Sequence, residues 1–233
     1  MNLAVRDDDL SELMDDPACD EERLSATLRR FAVVNRFVSA WSGTYRSTVR
    51  PWLAGLGRPA RVLDLGCGGG DVVSQLATAS ERDGFEVSWV GADPDPRAIA
   101  VARERSSRSV EFRCVDAAQL AAAGEAFDIV LSNHVLHHLG GRLEEFVDLS
   151  LRLSQGLVLH GDIARGRLPY ALYAIGITPL APGTFLRTDG LRSIRRSFTA
   201  AELRDELGRT HPGRWTVKTP APFRLLAIAD ARA

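Results

Sequence analysis

Five short apolar runs recur along the chain: RVLDLG (61–66), VSWVGAD (87–93), VEFRCVD (110–116), FDIVLSN (127–133) and GLVLHGD (156–162). Stretches of helical pattern separate them: Asp71 to about Ser80, Pro96 to Ser106, and Arg142 to Leu153. Apolar runs with so little polar interruption read as strands buried on both faces. Strands that alternate with helices pair in parallel through helical crossovers. The tail RWTVKTPAPFRLLAIAD adds two strands around a Pro-rich turn. Strands that close in sequence cannot both run parallel to their neighbours, so one is expected to be antiparallel at the sheet edge. The expected fold is therefore α/β, a doubly wound Rossmann-like seven-stranded sheet, mostly parallel with an antiparallel last strand.

The flanks of this core read less clearly. The first 15 or so residues are rich in Asp and Glu and suggest a loose arm. From Asp20, a plausible cap, to about Ala40, the residues Leu24, Leu28, Phe31 and Phe37 fall near helical spacing. A second helix is expected from Tyr45 to Leu56, bent or restarted at Pro51. The run LPYALYAIGITPLAPGTFL, within 165–197, is apolar but broken by prolines and glycines, and reads as a lid or pocket wall. FTAAELRDELG (198–208) reads as a helix with a Thr199/Glu202 capping box and a Gly208 stop. Residues 1–54 are thus expected to form an arm and helical cap. Residues 55–233 form the main domain, with 165–197 as a lid insertion.

Charge is nearly balanced, with 29 basic and 30 acidic residues and a net charge of -1, which argues against a nucleic-acid partner. The acidic first residues are no targeting peptide, and no apolar run reaches the length of a membrane span. Three widely spaced cysteines make neither a disulfide framework nor a zinc motif and fit a reducing cytoplasm.

The most informative motif is VLDLGCGGGD (62–71), where Gly66, Gly68 and Gly70 follow a strand and open a helix. Glycine permits a tight turn and close approach of a ligand. The dinucleotide fingerprint would place its third glycine at position 71, which is Asp71, and no lysine follows to make a phosphate loop. A carboxylate there repels a pyrophosphate but tolerates a sulfonium with an amino group. The loop therefore favours S-adenosyl-L-methionine over NAD or ATP.

VLDLGCGGGD resembles the first motif of the class I S-adenosylmethionine-dependent methyltransferases, and the resemblance extends over about residues 55 to 231. By that resemblance Asp64, Gly66, Cys67, Gly68 and Gly70 form the donor loop. Asp93, followed by Pro94, matches the acidic residue that holds the ribose hydroxyls. Asp116 with Ala117 matches the adenine contact. FDIVLSNHVLHHL (127–139), with Asn133, matches the motif at the lip where acceptor meets donor. The stretches LMDDPACDEERLSATLRRFAVVNRFVSAW and FLRTDGLRSIRRSFTAAEL are also similar to small bacterial methyltransferases associated with type III polyketide synthases. The LHHL motif appears in quinone-biosynthesis methyltransferases. This kinship implies O-methylation of a phenol or enol on a hydrophobic small molecule, with C-methylation of a quinone precursor as the alternative. A donor-binding module without catalysis is a third possibility. A protein or RNA methyltransferase fits less well, because SNHVL replaces the N/D-P-P-aromatic motif. A monomer or homodimer is expected.

Methyl transfer needs the nucleophile and methyl carbon aligned within about 3–3.5 Å. A phenol near pKa 10 is helped by a positioned base. Four of the five histidines, His134, His137, His138 and His160, lie near the ends of the fourth and fifth strands, where ligands bind in open α/β sheets. His137 or His138 is the expected base, with His160 behind. Asp162 shares a strand face with His160 and is placed to orient a histidine or bind acceptor. His134, Tyr170, Tyr173 and Arg195 are expected on the acceptor side. The run Arg187, Arg192, Arg195, Arg196 suits an acidic group of the acceptor. Phe31, Asn35, Phe37 and Tyr45 would cover the site from the N-terminal helices. His134 and His138 have the spacing of a zinc helix, but the central glutamate is missing, and no metal is expected.

Overall fold

In the computed structural model, residues 3–105 and 109–232 are described, apart from the Phe37 side chain. Ser106, the expected end of the second crossover helix, lies outside them.

The parallel core follows the runs above. Strands β1 (Ala60–Leu65), β2 (Val87–Asp93), β3 (Val110–Cys114), β4 (Phe127–Asn133) and β5 (Ser154–Ile163) are parallel. Side chains alternate across the sheet, as strand geometry requires. Val62, Ile129, Leu131 and Leu159 pack on one side. Leu63, Leu65, Val90 and Val130 pack on the other. Helices α4 (Asp71–Arg82) and α5 (Pro96–Arg103) cover the first face, and α6 (Ala117–Ala122) and α7 (Leu143–Leu153) the second.

The order is β3-β2-β1-β4-β5-β7-β6, where β6 is Thr216–Lys218 and β7 is Arg224–Asp230. The antiparallel strand β7 is not at the edge, as expected, but lies between β5 and the short edge strand β6. Its near-continuous burial explains this, because a strand covered on both faces belongs inside a sheet. Strand order reverses between β1 and β4, which makes their carboxyl ends the ligand crevice of an open sheet.

Helix α1 (Glu21–Val38) is capped by Asp20, whose side chain accepts from the Arg23 N–H. Residues 41–56 then form α2 (Trp41–Thr44), a π turn (Tyr45–Val49) and α3 (Arg50–Leu56). Pro51 sits in the first turn of α3, where its missing N–H costs least. Segment 165–197 is more regular than its prolines suggest. It contains α8 (Arg167–Gly176) and α9 (Leu186–Arg196). The last helix, α10 (Ala200–Thr210), has the Thr199/Glu202 capping box, yet runs two residues past Gly208.

The acidic arm is not loose. It lies along α9 as a strap. The Arg6 guanidinium stacks 3.9 Å over the Phe198 ring, and Asp7 pairs with Arg195 at 2.5 Å. Arg192 donates to the Ser11 carbonyl, and the N–H groups of Leu13 and Met14 each donate to the buried Asp189 carboxylate at 2.9 Å. The arginines of α9 are thereby committed largely to the strap. Among the described residues, no helix is long and apolar enough to cross a membrane.

Candidate active site

The loop after β1 places three glycines at positive φ: Gly66 at 70°, Gly68 at 52° and Gly70 at 71°. A Cβ on Gly66 would lie 2.7 Å from Val135 Cγ2, and one on Gly70 would lie 2.6 Å from Phe112 Cε1. Both the backbone conformation and the space thus demand glycine. Gly70→Ala is expected to lower stability by about 2–4 kcal/mol, combining strain with overpacking. Urea unfolding measures this, and an unchanged midpoint would contradict the close approach.

Three carboxylates surround this loop. Asp93, at the end of β2, accepts from Gly68 N–H and from Asp95 N–H, each at 2.9 Å. Asp71 accepts from Asn35 Nδ2 at 2.9 Å, which ties α1 to the loop. Asp64 is buried, and its Oδ1 has no hydrogen-bond partner. Burial, followed by the charges of Asp71 and Asp93, pushes its carboxyl well above the usual range. Cys67 is buried beside them, and its thiol is also pushed up, first by burial. Such a cradle opposes a pyrophosphate and suits a ligand that brings cationic and hydroxyl groups.

A cavity of about 260 Å³ continues from the loop, lined by Gly66, Pro94, Asp116, Ala117, Val135 and Leu139, among others. Asp116 also caps α6, accepting from Gln119 N–H at 2.7 Å, so its backbone position is firmly set. A separate hollow of about 440 Å³ between Asp148, Arg152, His211 and Arg214 shares no residue with this region.

Beyond the cavity, β4 ends at Asn133, and the chain turns through His134, which has φ 60°. A 3-10 turn (Leu136–His138) follows. It brings His137 onto the end of β5, where His137 Nδ1 lies 2.7 Å from Asp162 Oδ1 and its backbone N–H donates to Oδ2 at 3.0 Å. On the opposite side of the ring, Nε2 lies 3.3 Å from Glu12 Oε1, supplied by the strap. His137, Asp162 and Glu12 are all buried. Burial pushes the imidazole down. The Asp162 and Glu12 carboxylates outweigh it and raise the ring to about 9. In this arrangement His137 is an imidazolium, and Asp162 is held well below the usual carboxylate range.

His134 is the opposite case. Its Nε2 accepts from Arg224 at 2.7 Å, which leaves the proton on Nδ1, 3.7 Å from Asp162. Burial and the Arg224 charge hold it well below the ordinary histidine value, so it is neutral. Burial also brings Arg224 down to about 10. His138 is partly exposed, with Nδ1 3.1 Å from Asp15 Oδ2.

Two placements correct the sequence expectations. His160 is fully buried between Phe146 and Trp215, with Nδ1 2.8 Å from Ser132 Oγ, and burial takes it down to about 3. It sits two residues below Asp162 on β5, inside the packed layer, and is a core residue rather than a base. Arg195 faces Asp7 in the strap, and its neighbour Arg196 approaches Glu12, Asp15 and His138. On α8, Tyr173 donates to the Leu186 carbonyl at 2.7 Å, while Tyr170 is half-buried. The Leu168, Leu172 and Ile175 side chains of α8 point outward. Of the covering residues, Asn35 and Tyr45 are buried and Phe31 is half-buried. Tyr45 reaches Asp83 rather than the loop. The Phe37 side chain lies outside the described residues.

Glu12 and Arg224 were missed by sequence reasoning, and Arg196 entered it only as one of a run of four arginines. The signal available was charge complementarity, an acidic leader against a basic helix. Glu12–His137–His138 and His134–His137–Asp162 each bring possible metal ligands within 4.8 Å. A guanidinium stands at the edge of each group, Arg196 at the first and Arg224 at the second, and opposes a further cation.

The strand order, the glycine loop and the acidic residue ending β2 define a class I S-adenosylmethionine-dependent methyltransferase fold, and residues 62–153 match the family described as methyltransferase domain. Over 120 residues the chain is 38% identical to a ubiquinone biosynthesis O-methyltransferase of Cereibacter sphaeroides, covering 50% of this chain and 46% of that one. A ubiquinone biosynthesis O-methyltransferase of Rhizobium rhizogenes is 46% identical over 82 residues, 34% of this chain and 31% of the relative. The chain thus spans about half or less of the length of these curated relatives. Among solved structures, the plantazolicin methyltransferase BpumL in complex with SAH superposes with a TM-score of 0.60 at 14% identity, covering 90% of this chain and 95% of that one. The magnesium protoporphyrin IX methyltransferase of Synechocystis PCC 6803 with bound SAH gives 0.54 at 20% identity, with coverage of 87% and 92%. At such identities these likenesses establish the fold.

Proposed function

We propose that the chain transfers a methyl group from S-adenosylmethionine to an oxygen of a hydrophobic phenolic or polyketide-like small molecule. The observation that carries this reading is the juxtaposition of two unlike regions at one end of the sheet. A carboxylate-rich glycine cradle, where Asp64 Oδ1 lacks a partner, adjoins a buried His137–Asp162 pair. The likeness to ubiquinone biosynthesis O-methyltransferases supports O-methylation.

In the proposed reaction, Asp93 accepts the ribose hydroxyls, and the Asp64–Asp71 side of the cradle faces the donor's cationic groups. Asp116 and Ala117 border the adenine, with Pro94 and Asn133 at its rim. Once Glu12 withdraws and the His137 ring gives up its Nε2 proton to solvent, the acceptor hydroxyl gives its proton to Nε2, and Asp162 orients the ring and balances its charge. An oxygen lone pair then forms the new C–O bond as the methyl–sulfur bond breaks, and the donor leaves as a neutral thioether. His134, His138, Tyr170 and Tyr173 border the acceptor. Helices α1, α8 and α9 act as cap and lid that exclude water.

The test is incubation with methyl-labelled S-adenosylmethionine and a panel of phenols and enols, with NMR of the product. A methoxy signal supports the reading. A ring methyl would replace it with C-methylation, and no transfer to any member together with no donor binding would remove it.

A further inference from the structure

The Glu12 carboxylate is buried in a pocket it does not satisfy. Its Oε1 accepts from Ser193 Oγ at 2.8 Å. It lies 3.3 Å from His137 Nε2, and 3.7 Å from both His138 Nε2 and Arg196 Nη1. Despite this crowd of donors, His137 Nε2 and Arg196 Nε are buried without a hydrogen-bond partner. His137 is 1% exposed and Arg196 7% exposed, so water is a poor substitute for a partner there. Buried donors left unmet by the carboxylate beside them fit a different oxygen better.

We propose that this pocket is the subsite for the acceptor's reacting oxygen in its ionised form, and that Glu12 occupies it until the acceptor arrives. The ligand class is an acidic phenol or enol. The inference rests on the methyl-transfer reading above and adds the identity of the group that must leave. The Glu12–His137 ion pair has the same charges as the phenolate–imidazolium pair that immediately precedes methyl transfer. A phenolate can therefore exchange with the carboxylate without a change in the charge of the pocket. With Glu12 withdrawn, the His137 ring faces one carboxylate instead of two. Its basicity falls toward the range where Nε2 takes a phenolic proton.

The groups facing this position come from four elements: Glu12 and Asp15 from the strap, His137 and His138 from the 3-10 turn, Asp162 from β5, and Ser193 and Arg196 from α9. The strap is held at some distance from the pocket by Asp7 on Arg195. Withdrawal of Glu12 can therefore be promoted from outside the pocket.

The experiment is a titration of the S-adenosylhomocysteine complex with 4-nitrophenol, whose ionised form is read by its visible absorbance, and with 4-nitroanisole as the uncharged control. Glu12→Gln is expected to tighten 4-nitrophenolate about tenfold by removing the charge that holds the side chain against His137 and Arg196, because apparent affinity scales with the fraction of open sites. Asp7→Asn, which loosens the strap without touching the pocket, is expected to act in the same direction. Binding is expected to lower the apparent pKa of 4-nitrophenol in all three proteins, and 4-nitroanisole is expected to gain nothing. Unchanged 4-nitrophenolate affinity in both variants, or an equal gain for 4-nitroanisole, would make Glu12 a structural anchor and overturn the proposal. Methyl transfer measured on the same preparations separates the two readings. Transfer with indifferent 4-nitrophenolate binding overturns the subsite alone. Tightened binding with no transfer to any phenol leaves the subsite standing and removes the acceptor class.

Discussion

Asp93→Ala is expected to weaken S-adenosylmethionine binding about a hundredfold or more. Two hydrogen bonds from ribose hydroxyls to one carboxylate contribute about 1.5–3 kcal/mol each. Asp93 also holds the Gly68 and Asp95 N–H groups, so its removal loosens the glycine loop as well as the ligand. Asp93→Asn keeps the shape and one acceptor oxygen, and is expected to fall between. Isothermal titration with S-adenosylmethionine, and with NADH as control, gives the readout. Undiminished donor affinity in Asp93→Ala, or preference of the parent protein for NADH, would mean that the loop has been assigned the wrong ligand.

The second large effect is on folding. Asp162→Asn leaves the buried His137 imidazolium with one carboxylate and is expected to cost about 3–5 kcal/mol. The double change Asp162→Asn/His137→Gln is expected to cost clearly less than the sum of the two single changes, because no uncompensated charge remains. Urea unfolding of the four proteins closes this cycle, and strict additivity would show that the pair is not coupled. The pair also sets a pH window. His137 is raised in the folded state, so its contribution is complete below its unfolded value of about 6.5 and is lost as pH rises through about 9. Asp162 is depressed, so its contribution is complete above about 4 and is lost as pH falls toward its folded value. Glu12 is depressed as well, despite burial, by His137 and His138, and adds to the acid side. Loss of folding stability on both sides of this window is the expected profile.

The parallel strands and the glycine turn after β1 were legible in the sequence because their determinants are local. A strand buried on both faces must be apolar, and a turn at positive φ must be glycine. The β7 position could also have been read. RLLAIAD is apolar almost throughout, whereas TVK is short and half-exposed, and that contrast marks the inner and edge strands. The acidic arm could not be read from its own pattern. It has no amphipathic period, since its order comes from α9, and it fits there by charge and backbone hydrogen bonds. That Arg196 rather than Arg195 approaches His138 could not be read for a related reason. Adjacent helical residues point about 100° apart, and only the packing of α9 decides which one faces the histidines. His160 was judged by its proximity to the strand end. Two residues along a strand, however, are enough to separate Asp162, which reaches His137, from a ring sealed between Phe146 and Trp215.

The strap has a kinetic consequence. Leu13 and Asp189 are 176 positions apart, and Glu12 and Ser193 are 181 apart. Contacts of such separation carry a high loop-closure cost and form late unless a stable core already holds their ends close. During synthesis the arm is made long before α9, and the parallel sheet must assemble between them. On the proposed reading, the donor is held mainly by the β1–β4 half, whereas the acceptor pocket needs the long-range closure of the strap on α9. Refolding followed by retention of radiolabelled S-adenosylmethionine and by 4-nitrophenol absorbance should therefore give two separate phases, with the acceptor side the slower.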